Sequence, residues 1–281
     1  MIMEVRKASV AGQFYPEDKK ELKEMLKECF LNSKLGPGKL PEISKERKIF
    51  GLIVPHAGYI YSGYTAAHAY YELAKDGKPE VIVIIGPNHY GYGYPLSTLS
   101  KEWQTPLGRI KVEKEIVKEL IKRGIVDDEL AHKYEHSIEV QLPFLQFIFK
   151  DFKFVPICML DQSFKTAQKL SEILFEVLKN KDFVVIASSD FSHFERNEVA
   201  YQKDKIALEK IEKVDAKDFW YTVHAKNISV CGYGCITTLL LIMEKLKLES
   251  KILKYMTSGD VIGDKANVVG YAAVKFFKRV F

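Results

Sequence analysis

Apolar positions along the chain alternate between two kinds of pattern. Short continuous apolar runs occupy residues 49–54, 81–85, 152–157 and 183–187. Runs of that length, rich in β-branched side chains, read as strands buried on both faces. Between them, apolar residues recur at helical spacing. Leu22, Met25, Leu26, Cys29 and Phe30 mark a first helix, with Pro16 near its start. Residues 65–74, 113–122, 164–178 and 198–211 read as further helices, 137–149 as a helix perturbed by Pro143, and 234–248 as a strongly apolar one. Residues 252–257 and 268–276 read as closing strands, with the turn between them spanning Gly259-Asp260 to Gly263-Asp264. The most irregular stretch is 32–47, with Gly36-Pro37-Gly38 and Pro41. Buried strands alternating with helices predict an α/β fold: a three-layer α/β/α domain around a mainly parallel central sheet. No repeat, low-complexity tract or long linker marks a boundary, so one domain over residues 1–281 is expected.

Composition removes several function classes. At 47% hydrophobic residues the chain of 281 can build a sizeable core, which excludes disorder as its main description. A net charge of +5 is mild and calls for no nucleic-acid partner. Only six of the 42 basic residues are Arg. Abundant Lys and Glu with few amides lean toward a source living at high temperature. The start, Met1-Ile-Met-Glu, lacks a signal-peptide pattern, and the longest apolar run, around 237–243, is too short to span a membrane. Four cysteines are too sparse for a secreted disulfide scaffold. A cytoplasmic protein with free thiols and no membrane association is expected.

The histidines carry the candidate chemistry. His56 directly follows the first buried run, His89 the second, and His193 the run at 183–187, where Asp190 joins it. In open α/β sheets, ligands bind in the crevice at the carboxyl ends of the strands. One such histidine is ordinarily a satisfied surface or cap residue. Three at equivalent topological positions predict that His56, His89, Asp190 and His193 converge. His68, mid-helix, and His224, in a polar stretch, read as satisfied or solvated side chains. His132 and His136 are four apart, but Lys133-Tyr134-Glu135 between them is not a metalloprotease signature. His136, with Glu135, Ser137 and Glu139, reads as a polar group that orients metal-holding neighbours.

Cys231 and Cys235 flank Gly232-Tyr233-Gly234 just before the apolar helix. A thiol at a helix start sees aligned N–H groups that favour the thiolate, so Cys231 is a candidate soft ligand or nucleophile. Cys-x3-Cys fits neither a zinc knuckle nor a thioredoxin-type motif. Cys29, Cys158 and Cys235 read as small buried hydrophobes. The tyrosines from Tyr59 to Tyr71, with Tyr90, Tyr92 and Tyr94, either line a pocket or pack on the sheet. A phosphate-binding loop is absent, since Gly91-Tyr92-Gly93 lacks the rest of either nucleotide fingerprint.

In order along the chain, Ala11-Gly-Gln-Phe-Tyr-Pro16, Pro55-His-Ala-Gly-Tyr59, Gly86-Pro-Asn-His89, Glu135-His-Ser-Ile-Glu139, Ser188-Ser-Asp-Phe-Ser-His193, Val230-Cys-Gly232, Ser258-Gly-Asp260 and Val269-Gly-Tyr271 resemble the Memo family. The family is named for a human protein that mediates receptor-driven cell motility. The resemblance implies a fold like the catalytic subunit of protocatechuate-type extradiol dioxygenases. It implies His56, His89 and Cys231 as metal ligands, with Asp190 and His193 as the remaining polar pocket residues and His193 at the acid/base position. The metal it implies is non-haem Fe(II) or Cu, with Zn also suited to a thiolate-containing set. It also points to a radical-SAM protein partner for prokaryotic members.

Three functions are therefore expected to compete. The first is a metal protein with redox or oxygenase-like chemistry, in which His193, oriented by Asp190, moves protons on a small-molecule or peptide ligand. The second is a metal-free module binding phosphorylated or carboxylate-bearing peptides, against which the scarcity of Arg counts. The third is a Cys–His hydrolase using Cys231 and His193.

Overall fold

The computed structural model describes residues 5–279. Its strands are β1 (Val5–Arg6), β2 (Ile49–Val54), β3 (Val81–Pro87), β4 (Leu96–Thr98), β5 (Glu102–Thr105), β6 (Gly108–Val112), β7 (Val126–Asp127), β8 (Lys153–Met159), β9 (Phe183–Ser188), β10 (His193–Glu195), β11 (Glu249–Thr257) and β12 (Val268–Phe277). Its helices are α1 (Lys19–Leu31), α2 (Tyr59–Asp76), α3 (Lys114–Lys122), α4 (Glu129–Lys133), α5 (Leu142–Phe149), α6 (Phe164–Leu178), α7 (Asn197–Glu212), α8 (Ala216–Ala225), α9 (Tyr233–Lys245) and α10 (Ser258–Ile262).

The sheet runs β1-β5-β6-β8-β3-β9-β2-β12-β10. From β6 to β2 every pairing is parallel. β3 and β9, at its centre, are buried at every residue. That explains their unbroken Val and Ile runs, because both faces are covered by helices. α9 packs on β2, β3 and β9 and against α6 and α8, while α2 packs on β2 and β12 and against α1 and α5. The fold is thus the expected α/β sheet flanked by helices. An antiparallel margin of β11, β12 and β10 closes it beyond β2.

Local signals set the helix ends. Asp18 caps α1 by accepting from the N–H groups of Lys20 and Glu21. Ser163 caps α6, which buries Leu170, Leu174 and Leu178; each such leucine contributes about 1.5–3 kcal/mol. α2 starts at Tyr59, six residues before the apolar periodicity suggests, because the Tyr59 N–H is already used by the Phe14 carbonyl. The helix expected over 137–149 is split. A 3-10 turn at Glu139–Gln141 precedes α5, and Pro143 sits in the first turn of α5, where no N–H is needed. The turn expected over 259–264 holds the one-turn helix α10, capped by Thr257 and Asp260 and ended by left-handed Gly263.

The register levels the strand ends. Val54 lies beside Ser188, and Ile85 beside Ala187. Chain segments leaving β2, β3 and β9 therefore emerge side by side at one edge of the sheet.

Candidate functional site

His56 leaves β2 two residues beyond its end, His89 leaves β3 two residues beyond its end, and Asp190 leaves β9 two residues beyond its end. The rings of His56 and His89 approach edge to face at 5.1 Å between centroids. A third ring completes the group. His136 stacks on His89 at 4.5 Å and meets His56 at 5.4 Å. His56, His89 and His136 each present a ring nitrogen, and the three lie within 4.8 Å of one another. Among the described residues no other His, Cys, Asp or Glu group has that spacing.

Hydrogen bonds fix which nitrogen each ring offers. The Ser188 hydroxyl donates to the Ser137 carbonyl at 2.6 Å, so it can only accept from His56 Nδ1, 2.9 Å away. His56 Nε2 is left with its lone pair. The Glu135 carboxylate accepts from the His89 N–H at 2.7 Å and from His89 Nδ1 at 2.9 Å, which likewise frees His89 Nε2. His136 Nδ1 is buried and has no hydrogen-bond partner. Partners behind the ring of this kind are what orient imidazoles toward a metal.

The segment carrying Glu135 and His136 is held against β3 by close approach. A Cβ on Gly86 would lie 2.2 Å from Ser137 Oγ, so only glycine fits there. Its other end is tied to the start of the chain. Glu139 accepts from the Ser9 and Val10 N–H groups and from the Tyr15 hydroxyl, and it pairs with the buried Arg6 guanidinium. Arg6 also donates to the carbonyls of His132 and Glu135. This network sets Phe14 on the His136 ring at 4.6 Å.

His132 takes a different course from His136. α4 ends at Lys133, so the two histidines share no helix face. His132 is buried against Trp103, ring edge to ring at 5.7 Å. His68 bonds the Leu35 carbonyl and His224 the Trp220 carbonyl.

The remaining sequence candidates lie around the cluster. Asp190 and His193 line the same cavity as the three imidazoles, a space of about 490 Å³. Asp190 does not hold the His193 ring as expected. Its carboxylate accepts from the His56 N–H at 2.8 Å, while His193 Nδ1 is held by the Ser229 carbonyl at 2.8 Å. Cys231 Sγ sits 3.2 Å from His56 Nε2 and 3.2 Å from the Asp190 N–H. The imidazole that meets the thiol is therefore His56, not His193. Burial and the Asp190 charge push the Cys231 thiol up, outweighing the hydrogen bond from the Asp190 N–H.

Burial disfavours the charged form of two of the imidazoles, His136 and His56. It lowers His136 to about 3, helped by the neighbouring His56, and lowers His56 well below 6.5, helped by His89. Burial would raise Glu135, but the hydrogen bonds it accepts from the His89 side chain and N–H outweigh it and hold the carboxyl at about 2.

A pH dependence follows. In the unfolded chain these histidines take up protons below about pH 6.5. Folded pKa values below unfolded ones give stability that is complete above pH 6.5 and is lost as pH falls toward 3. Glu135 adds a loss between its ordinary 4.5 and about 2. Asp204, pushed up to about 6 by burial, works in the opposite direction below pH 6. The difference between wild type and His136→Gln isolates the imidazole. The urea midpoint of the wild type should fall more steeply between pH 6.5 and 4 than that of the variant; parallel curves would contradict the buried neutral ring.

Residues 6–275 match the Memo family model, described as Memo-like protein. A MEMO1 family protein of Saccharolobus solfataricus is 46% identical, over 96% of this chain and 99% of its own. A MEMO1 family protein of Sulfolobus acidocaldarius is 44% identical, over 97% and 99%. An uncharacterized protein from Escherichia coli K12, solved by crystallography, is 12% identical with a TM-score of 0.46, covering 80% of this chain and 99% of that one. That likeness is too distant to argue from.

Proposed function

The chain belongs to the Memo-like protein family, and from that premise we propose that the strand-end cavity is a metal site in which His56, His89 and His136 hold a non-haem ion beside a small-molecule ligand. The observation that carries this reading is the trio of imidazoles with donor nitrogens within 4.8 Å of one another, two of them aimed by Ser188 and Glu135. Imidazole suits Zn, Cu and Fe alike. When bound, iron or copper would supply redox chemistry and an open coordination position, and zinc a Lewis acid.

The chain's own residues have definable tasks there. Glu135 keeps the proton on His89 Nδ1 and places a buried negative charge behind the cluster. Asp190 fixes the loop carrying His56 through the His56 N–H. His193, with Nδ1–H on the Ser229 carbonyl, keeps Nε2 as the lone-pair nitrogen, the atom that would take or return a proton. Titration of metal-free protein with Zn(II) or Fe(II) tests the proposal. One equivalent is expected to bind, and none to the double variant His56→Ala/His89→Ala; equal binding by both would place the metal elsewhere.

A second reading has one observation in its favour, the 3.2 Å contact between Cys231 Sγ and His56 Nε2. It would make Cys231 either a further donor to the same ion or a nucleophile paired with His56. Burial and the Asp190 charge oppose the thiolate. Cys231 in metal-free protein is therefore expected to react with iodoacetamide at pH 7 more slowly than free cysteine. Faster reaction, followed by mass spectrometry of the labelled peptide, would favour the nucleophile.

A further inference from the structure

We infer that the cavity beside the imidazole cluster takes a small molecule with a compact metal-binding head and an uncharged, ring-sized apolar tail, and that Phe194 covers the tail. The inference rests on the proposal that the cluster holds a metal. The cavity has two unlike walls. One is the polar group already described, His56, His89, His136, Asp190 and His193. The other is apolar and aromatic: Phe14, Tyr61, Phe194, Ile262, Val269 and Tyr271. Among the described residues, no Lys or Arg lines it.

Phe194 is the anomaly that gives the apolar wall a purpose. It sits between His193 and Glu195, where the ladder to β12 breaks register and leaves it unpaired. Such bulges re-aim side chains next to functional sites. Its backbone is left-handed, with φ of 58°, a region that a bulky side chain occupies only when something over-determines it. The residue lines the cavity and is 76% exposed. Ile262, which lines the same cavity from the end of α10, is 55% exposed. Both apolar groups stay in water in the protein alone, and both would be covered by a ligand that fills the cavity.

Charge decides what kind of tail fits. Asp190 is buried at the polar end. A phosphate or carboxylate tail would approach that carboxyl and find no lining cation to pair with, only the neutral Ser258 and Asn267 side chains, which offset less of its lost hydration than a cation would. An uncharged ring gains from burial against Phe194, Tyr61 and Tyr271, and full burial of a side chain of that size corresponds to roughly tenfold or more in affinity.

Zinc-loaded protein titrated calorimetrically with benzohydroxamate, acetohydroxamate and 4-carboxybenzohydroxamate tests this. The three hydroxamates carry the same metal-binding head and differ in the tail. Benzohydroxamate should bind at least about tenfold more tightly than acetohydroxamate, and 4-carboxybenzohydroxamate more weakly than benzohydroxamate. Phe194→Ala should cut the preference for benzohydroxamate over acetohydroxamate about threefold or more while leaving zinc affinity unchanged. Phe194→Gly, which also relieves the backbone, should do the same. Equal affinity for benzohydroxamate and acetohydroxamate, a preference for 4-carboxybenzohydroxamate, or an undiminished ratio in both variants would overturn the inference while leaving the metal site standing. Failure of the protein to take up zinc would instead overturn the metal reading, and this inference with it.

Discussion

Replacing His136 with alanine is expected to lower zinc affinity at least about 100-fold while leaving the fold intact. Removing even a group that orients a ligand typically costs roughly 10–100-fold, and loss of one of three donors should cost no less. The fold should tolerate the change because the His136 ring makes few demands on it. Its Nδ1 is buried without a hydrogen-bond partner, and it approaches Glu135 only at 3.6 Å. Deleting it therefore orphans no buried donor or acceptor. What is lost is stacking on His89 and Phe14. The variant should remain within about 1–2 kcal/mol of wild type by urea unfolding. Unchanged zinc affinity would show that His136 lies beside the ion rather than on it, leaving Cys231 as the candidate third donor.

The largest expected stability effect lies away from the cluster. Glu139→Ala should destabilise the protein by about 3–5 kcal/mol, the usual consequence of breaking a buried ion pair. The carboxylate receives Arg6, the Tyr15 hydroxyl and the N–H groups of Ser9 and Val10. Without it the Arg6 guanidinium stays buried over the Trp103 ring, 4.3 Å from its centre, with two carbonyls but no counter-charge. Three donors of the 9–15 segment also lose their partner. That segment carries Phe14 onto His136, so the cavity wall should loosen with it. The double variant Arg6→Met/Glu139→Leu removes the stranded charge and should recover much of the loss. A single-variant effect below about 1 kcal/mol in chemical denaturation would contradict the network.

The central sheet was legible because its strands are covered on both faces. Continuous Val and Ile runs as short as 81–85 and 183–187 suit a doubly covered strand and little else, and their ends pointed to His56, His89, Asp190 and His193. Their neighbours were not legible. β2 and β3 are separated by β9, an order that the apolar runs themselves do not encode. His136 shows the same limit more sharply. No strand delivers it, and its place depends on the Gly86–Ser137 approach and on Arg6 meeting Glu139 across 133 positions. The Glu135-His136-Ser137 grouping did mark the region as polar and orienting; the long-range packing turns the ring inward. At Cys231 the sequence shows the aligned N–H groups of the helix start, while the opposing burial and the Asp190 charge come from the fold. The short elements β4 to β7 and α4 left no periodicity long enough to read.

X-ray absorption at the zinc edge of stoichiometrically loaded protein tests the account most directly. Three imidazoles predict nitrogen scatterers at about 2.0–2.1 Å with the outer-shell pattern of imidazole rings and no sulfur. The His136→Ala variant should lose one of them. A sulfur scatterer near about 2.3 Å in the wild type, or no ordered shell at all, would contradict the three-histidine site.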